Sequence, residues 1–260
     1  MQAKMKVFYF LLSLTMVIGV ASCRDKDDNE ELPVAGPGKV TVSFTPKWNG
    51  DNFVMQDVYY DDFGNRIRVD NFLNYFSMLT LVKEDGTEVL LKDFYLADFF
   101  NENTFTFDVA PGKYTGLKVG IGIPAAYNKH IDPAQYASSN PLSVAGSQGM
   151  FWTWSTGYIF TKFEGKADTT GTEGAELLHP FSFHIGDDPF FRQFASTDEN
   201  IVVSSQQTSN VHININIDHI LAPGGSADID LASDAITHTS TNTELATKFA
   251  DNFLSAITVE

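Results

Sequence analysis

Two tryptophans, Trp152 and Trp154, stand two positions apart in the stretch GMFWTWSTGYIFTKFEG, Gly149–Gly165. Each ring can fill a core or stack on a ligand. Six histidines, His130, His179, His184, His212, His219 and His238, are spread over the second half of the chain. Imidazole can hold a metal or a proton near neutral pH. A lone histidine on a strand, however, is more often hydrogen-bonded or solvated than a ligand. No His-x-His pair, no Met-rich run and no histidine inside the tryptophan stretch sharpens the signal. The single cysteine, Cys23, excludes an intramolecular disulfide and any multi-cysteine zinc or iron–sulfur site. Asp187-Asp188 and Asp228-Ile229-Asp230 lack EF-hand spacing and read as solvated loops. No G-x-S-x-G elbow, P-loop or dinucleotide fingerprint is present, and nothing positive supports a glycosidase carboxylate pair. The expectation is a protein that is not an enzyme.

These residues need elements to position them. The density of aromatic and β-branched residues favours a strand over a helix for Gly149–Gly165. A single strand puts Trp152, Trp154, Tyr158 and Phe160 on one face, and Phe151, Thr153, Ser155, Gly157, Ile159 and Phe163 on the other. The plainest account of these rings is the core of a β-domain. Further strands are expected at Lys39–Pro46, with Val40, Val42 and Phe44 inward, at Asn74–Val82 and Glu88–Phe94 around the turn Glu84-Asp85-Gly86-Thr87, at Thr104–Val109 and at Tyr114–Ile123. Phe181–Gly186 places Phe181, Phe183 and Ile185 on one face and Ser182, His184 and Gly186 on the other. Asn210–Ile220 alternates throughout, with His212 pointing away from the core, and Asp187–Asn200 reads as an acidic loop. Pro124–Ser147 is a long loop leading into the tryptophan stretch. A C-terminal helix over Thr243–Ala256 carries Leu245, Phe249, Phe253 and Leu254 on one side and is capped by Asn242 or Thr243. Short strands joined by Gly, Pro and Asp turns predict a mostly β fold, an antiparallel sandwich with long loops and a C-terminal helix.

The N-terminus carries an address. Lys4 and Lys6 precede an apolar run, Val7–Val20, too short to span a bilayer comfortably. Val20-Ala21-Ser22-Cys23 resembles a lipobox, which implies cleavage after residue 22 and lipidation of Cys23. The expected organisation is a signal peptide over 1–22, an acidic tether over 23–38 and one domain over 39–260. Within the tether, RDKDDNEE resembles the acidic export signal of surface lipoproteins; a plain solvated spacer fits the same residues. The expected location is the outer membrane, facing the periplasm or the cell surface, with the lipid on Cys23 as the membrane contact. The formal net charge is −16, and cleavage would remove two lysines and no acid. So acidic a chain argues against nucleic acid and anionic lipid head groups as partners. The domain, roughly 220 residues, is long enough to bury a sizeable core.

The order of elements resembles the MbnP family, the methanobactin-associated copper-binding proteins and their lipoprotein relatives. The stretches VTVSF, NYFSMLTLVKEDGTEV, GKYTGLKVGIGIPAAYN, GMFWTWSTGYIFTKFEG and FSFHIG carry the likeness, with the tail THTSTNTELATKFADNFLSAITV. Its most specific part is W-x-W-x-x-G-Y-x-F-x-x-x-E-G. The resemblance covers about residues 39–260 and implies copper(I) held between histidine nitrogens and a tryptophan oxidised to kynurenine. It also implies a dihaem peroxidase-like partner as the oxidant. Carried onto this chain, the modified or copper-adjacent residue is Trp152 or Trp154. The ligands are His184 first, as the histidine of F-x-H-x-G, then His238 and His212. The competing expectation is a surface interaction or glycan-binding lipoprotein that keeps the scaffold without the metal.

Overall fold

The computed structural model describes residues 36–260 except 130–131, 153–156 and 173. The signal, lipobox and most of the tether, with Cys23, lie outside the described residues, as do Trp154 and His130. In chain order the first strands are β1 (Gly38–Trp48), β2 (Asp51–Asn52), β3 (Val58–Tyr60), β4 (Arg66–Lys83), β5 (Glu88–Asp98), β6 (Thr104–Val109) and β7 (Gly112–Ile121). A short helix α1 (Ala125–Asn128) opens the long loop. Then come β8 (Phe151–Trp152), β9 (Gly157–Asp168), β10 (His179–Gly186), β11 (Arg192–Ser196), β12 (Ile201–Val203) and β13 (Thr208–Asn216). Helix α2 (Ile217–Leu221), β14 (Ile236–Thr237), helix α3 (Thr243–Ser255) and β15 (Ile257–Val259) close the chain.

The fold is mostly β and sandwich-like. One sheet runs β15-β13-β1-β2, with β6 also on β1; the larger runs β11-β7-β4-β9-β10-β14, with β3 and β5 on β4 and β12 on β7. Pairing is antiparallel except for β1 with β13 and β10 with β14. Alternation explains the main core. Val40, Val42 and Phe44 of β1 and Val211, Ile213 and Ile215 of β13 are buried with Phe72 and Phe76 of β4 and with Phe181, Phe183 and Ile185 of β10. Helix α3 adds Leu245, Phe249 and Phe253 to the same core, and the Asn242 side chain caps it by accepting from the Leu245 N–H at 3.0 Å.

A second hydrophobic cluster is separate from the main core. It holds Leu73, Tyr75, Phe94, Leu96, Ile123, Leu142, Met150, Trp152, Tyr158, Ile159 and Phe160. On β4, Phe72 and Phe76 belong to the main core while Leu73 and Tyr75 belong to the second, as the pleat requires. The long loop lies against this cluster. The Tyr75 hydroxyl donates to the Pro141 carbonyl at 2.8 Å and the Tyr158 hydroxyl to the Leu142 carbonyl at 2.6 Å. The Asn128 side chain accepts from the Tyr158 N–H at 2.9 Å and donates to Asp188 at 2.7 Å.

Three local expectations change. The tryptophan stretch is not one strand: β8 and β9 pair antiparallel, with Phe151 opposite Tyr158 and Trp152 opposite Gly157. Residues directly opposite share a face, so Trp152 lies on the face opposite to Tyr158. Asn210–Ile220 is a strand only to Asn216; the chain then turns into α2 and still buries Ile217 and Ile220. The acidic loop contains β11, which pairs with β7.

Candidate metal centre

His184 lies on β10 between Phe183 and Ile185, both buried in the main core, so its ring projects from the opposite face. Strand β14 runs parallel to β10 with Ser182 beside Ile236 and Phe183 beside Thr237. One step further along that register puts His184 beside His238. Their rings meet edge to face with centroids 4.5 Å apart. The fold thus joins two histidines that the sequence separates by strands β11, β12 and β13 and helix α2.

The partners of this pair are fixed. Glu164 of β9 stands opposite Ser182. Its Oε1 lies 2.7 Å from His184 Nε2, and its Oε2 accepts from Asn71 Nδ2 of β4 at 2.8 Å. Thr239 closes the other end. Its Oγ1 accepts from the Gly186 N–H at 2.9 Å and its hydroxyl donates to the His184 carbonyl at 2.8 Å. Thr239 holds φ at 56°, a left-handed backbone that is costly for a β-branched residue. The two hydrogen bonds offset that strain and hold the residue after His238 against β10.

Trp152 is 8% exposed. Its six-membered ring lies over Gly186, where a Cβ would stand 2.5 Å from Cη2 and Cζ3. Gly186 is two residues beyond His184 on β10, past a register shift between Ile185 and Gly186. Burial and the neighbouring His184 imidazole push His238 below the usual histidine range, against a smaller opposing pull from Glu164. A neutral imidazole keeps a lone pair for a metal.

The hydrogen bond from His184 holds the Glu164 carboxyl down at about 2, with Asn71 acting in the same direction and burial opposing both. A depressed folded-state pKa means that the stabilisation is present above the unfolded value, near 4.5, and is lost as pH falls toward 2. With the Glu164 side chain 32% exposed, the contribution is about 1–2 kcal/mol. Urea unfolding at pH 7 and pH 3 should show wild type losing that much more stability on acidification than Glu164→Gln. Equal losses would mean that this bond contributes nothing to folding.

The other expected residues fall elsewhere. His212 is exposed on β13 in the smaller sheet, with Nδ1 2.8 Å from Ser43 Oγ. His219 is exposed on α2 and His179 begins β10. Asp187 pairs with Lys129, and Asp228 and Asp230 accept backbone N–H groups of their own turns. Among the described residues no three His, Cys, Asp or Glu side chains gather as a metal-holding group. The donor set here is two imidazoles, which suits a transition-metal ion better than a hard one. Glu164 is the glutamate of the tryptophan motif, which assigns it no role, and nothing in the sequence marks Asn71 or Thr239. The signal for Glu164 lay in strand parity: it shares its face of the β9–β10 pair with His184.

A family model described as MbnP matches residues 37–242 of the chain. Among solved structures, MbnP from Methylosinus trichosporium superposes with a TM-score of 0.54 at 13% sequence identity, over 85% of this chain and 97% of that one. At that identity the likeness is one of fold. No curated protein sequence matches.

Proposed function

The chain belongs to the MbnP family, and on that premise we propose that it is a non-enzymatic copper-binding protein of the cell envelope, with His184 and His238 as ligands. The observation that carries this reading is the edge-to-face contact of the two imidazoles, with ring centroids 4.5 Å apart. Two imidazole nitrogen donors suit copper, and the oxidisable Trp152 ring packs over Gly186, two residues beyond His184 on the same strand. Kynurenine formed from Trp152 or Trp154, with a dihaem peroxidase-like enzyme as the oxidant, belongs to the same reading. So does a lipid on Cys23 that holds the protein to the outer membrane. His212 is excluded from the ligand set because it sits on the other sheet with Ser43 as its partner.

Copper(I) titration of the mature chain against a competing chelator tests this. His184→Ala and His238→Ala should each weaken binding at least about 100-fold, since losing a ligand costs no less than losing the group that orients it. His212→Ala should bind as wild type does. Equal binding by all three variants would remove the site. Peptide mass spectrometry of Gly149–Gly165 from native envelope would report kynurenine at either tryptophan.

A second reading has its own observation. Phe94, Tyr127, Tyr136, Asn140 and Pro141 line an open cleft of about 610 Å³ between β5 and the long loop. Rings and an amide around such a space suit a sugar or another flat polar ligand. A glycan-binding lipoprotein would use this cleft rather than Trp152, whose ring is buried.

A further inference from the structure

We propose that Glu164 is a positioning residue: it fixes His184 as the Nε2–H tautomer and so leaves Nδ1 as the nitrogen with a lone pair for a ligand. The argument starts from the inventory of the two groups. An ionised carboxylate only accepts hydrogen bonds, and a neutral imidazole carries one N–H. A contact of 2.7 Å between Glu164 Oε1 and His184 Nε2 therefore requires the proton on Nε2. Ser182 Oγ, 3.3 Å from the same nitrogen, also approaches Nε2 and leaves the assignment unchanged.

The carboxylate is not free to swing away. Asn71 Nδ2 holds its other oxygen at 2.8 Å from β4, and Glu164 itself sits within β9, paired with β4 on one side and β10 on the other. The row Asn71, Glu164, His184 thus crosses three strands, each side chain held by the next. A histidine that binds a metal through one nitrogen commonly donates the other N–H to a carboxylate, which fixes the ring and raises its donor strength. Glu164 already accepts a hydrogen bond on each oxygen and so is placed to act through His184. Only the final link to metal affinity rests on the copper reading; the tautomer claim stands on this geometry alone.

The test uses the metal-free mature chain at pH 8, with long-range proton–nitrogen correlation spectra of the histidines. In wild type, His184 should show Nε2 protonated and Nδ1 bare. Glu164→Ala should give a mixture of tautomers, and Glu164→Gln, whose amide oxygen can still accept, should restore the wild-type pattern. Copper(I) affinity should fall about 10–100-fold in the alanine variant and recover with glutamine. An Nδ1–H tautomer in wild type, or an alanine variant with unchanged tautomer, would overturn the proposal. Thermal unfolding of each variant separates loss of fold from loss of orientation. If wild type binds no copper(I), the copper reading fails, and the spectra of the metal-free chain still decide the role of Glu164.

Discussion

Phe163→Ala is expected to remove about 4 kcal/mol of folding stability, within the range for truncating a buried phenylalanine. Phe163 is fully buried on β9. Its ring lies 5.3 Å from Phe72 of β4, 5.4 Å from Phe181 and 6.3 Å from Phe183 of β10, and 5.8 Å from Phe249 of α3. The contact with Phe72 is edge to face at 86°. Neighbours that belong to the two strands flanking β9 and to a helix cannot move inward together, so the cavity stays open. For a domain whose total stability is about 5–15 kcal/mol, the change is a large fraction. Urea unfolding should show a lower midpoint at unchanged slope, which identifies a loss of native stability. Leu178→Ala, at a side chain 74% exposed, is the control and should move the midpoint little. A loss below about 1 kcal/mol at Phe163 would mean that the ring cluster repacks freely.

Gly186→Ala is the second large effect, expected near 3 kcal/mol, the cost of forcing extra volume into a packed site. The new Cβ would meet Trp152 Cη2 and Cζ3 at 2.5 Å and the Tyr158 carbonyl oxygen at 2.6 Å. The carbonyl belongs to β9, which is paired on both sides and cannot retreat. The indole must move instead. A double-mutant cycle isolates that movement. In a Trp152→Ala background the glycine substitution should cost at least about 1 kcal/mol less, because the clash with the ring is gone. The near-ultraviolet circular dichroism of the aromatic residues should change in Gly186→Ala alone. Additive costs would show that the carbonyl contact, and not the ring, is what requires glycine.

What the sequence reveals and what it hides divide along a physical line. Alternation in VTVSF, FSFHI and NVHINI is a local signal, and the strands with their inward residues follow from it. The amphipathic repeat of Leu245, Phe249 and Phe253, with Asn242 before it, likewise marks α3. Trp152 and Trp154 look like neighbours on one strand because parity assumes an unbroken chain. Gly157 stands across the β8–β9 hairpin from Trp152 and is where β9 begins, so the assumption fails there. Strand β11 escapes notice because five residues with only moderate alternation cannot be told from a polar loop. The approach of His238 to His184 is invisible for a related reason. Strand β14 is two residues long and has no periodicity, and a parallel partner chosen across a long connection leaves no local trace. His184 is recognisable through F-x-H-x-G; Glu164 stands in the tryptophan motif, but its place beside His184, like that of Thr239, emerges only once register is known.

The parallel pairing of β1 with β13 also sets the order in which the molecule can be built. Ser43 and His212 are adjacent in space and 169 positions apart in the chain. A polypeptide emerging N-terminus first presents Val40, Val42 and Phe44 long before the strand that completes their ladder exists. A hairpin such as β4–β5 can close early, because its loop is short and closure entropy is small. The first strand must wait, so the domain is governed by non-local contacts and belongs among the slower-folding topologies. Cutting the chain after β12 would leave its N-terminal strand without its parallel neighbour, and the two ends of the domain are gained or lost together.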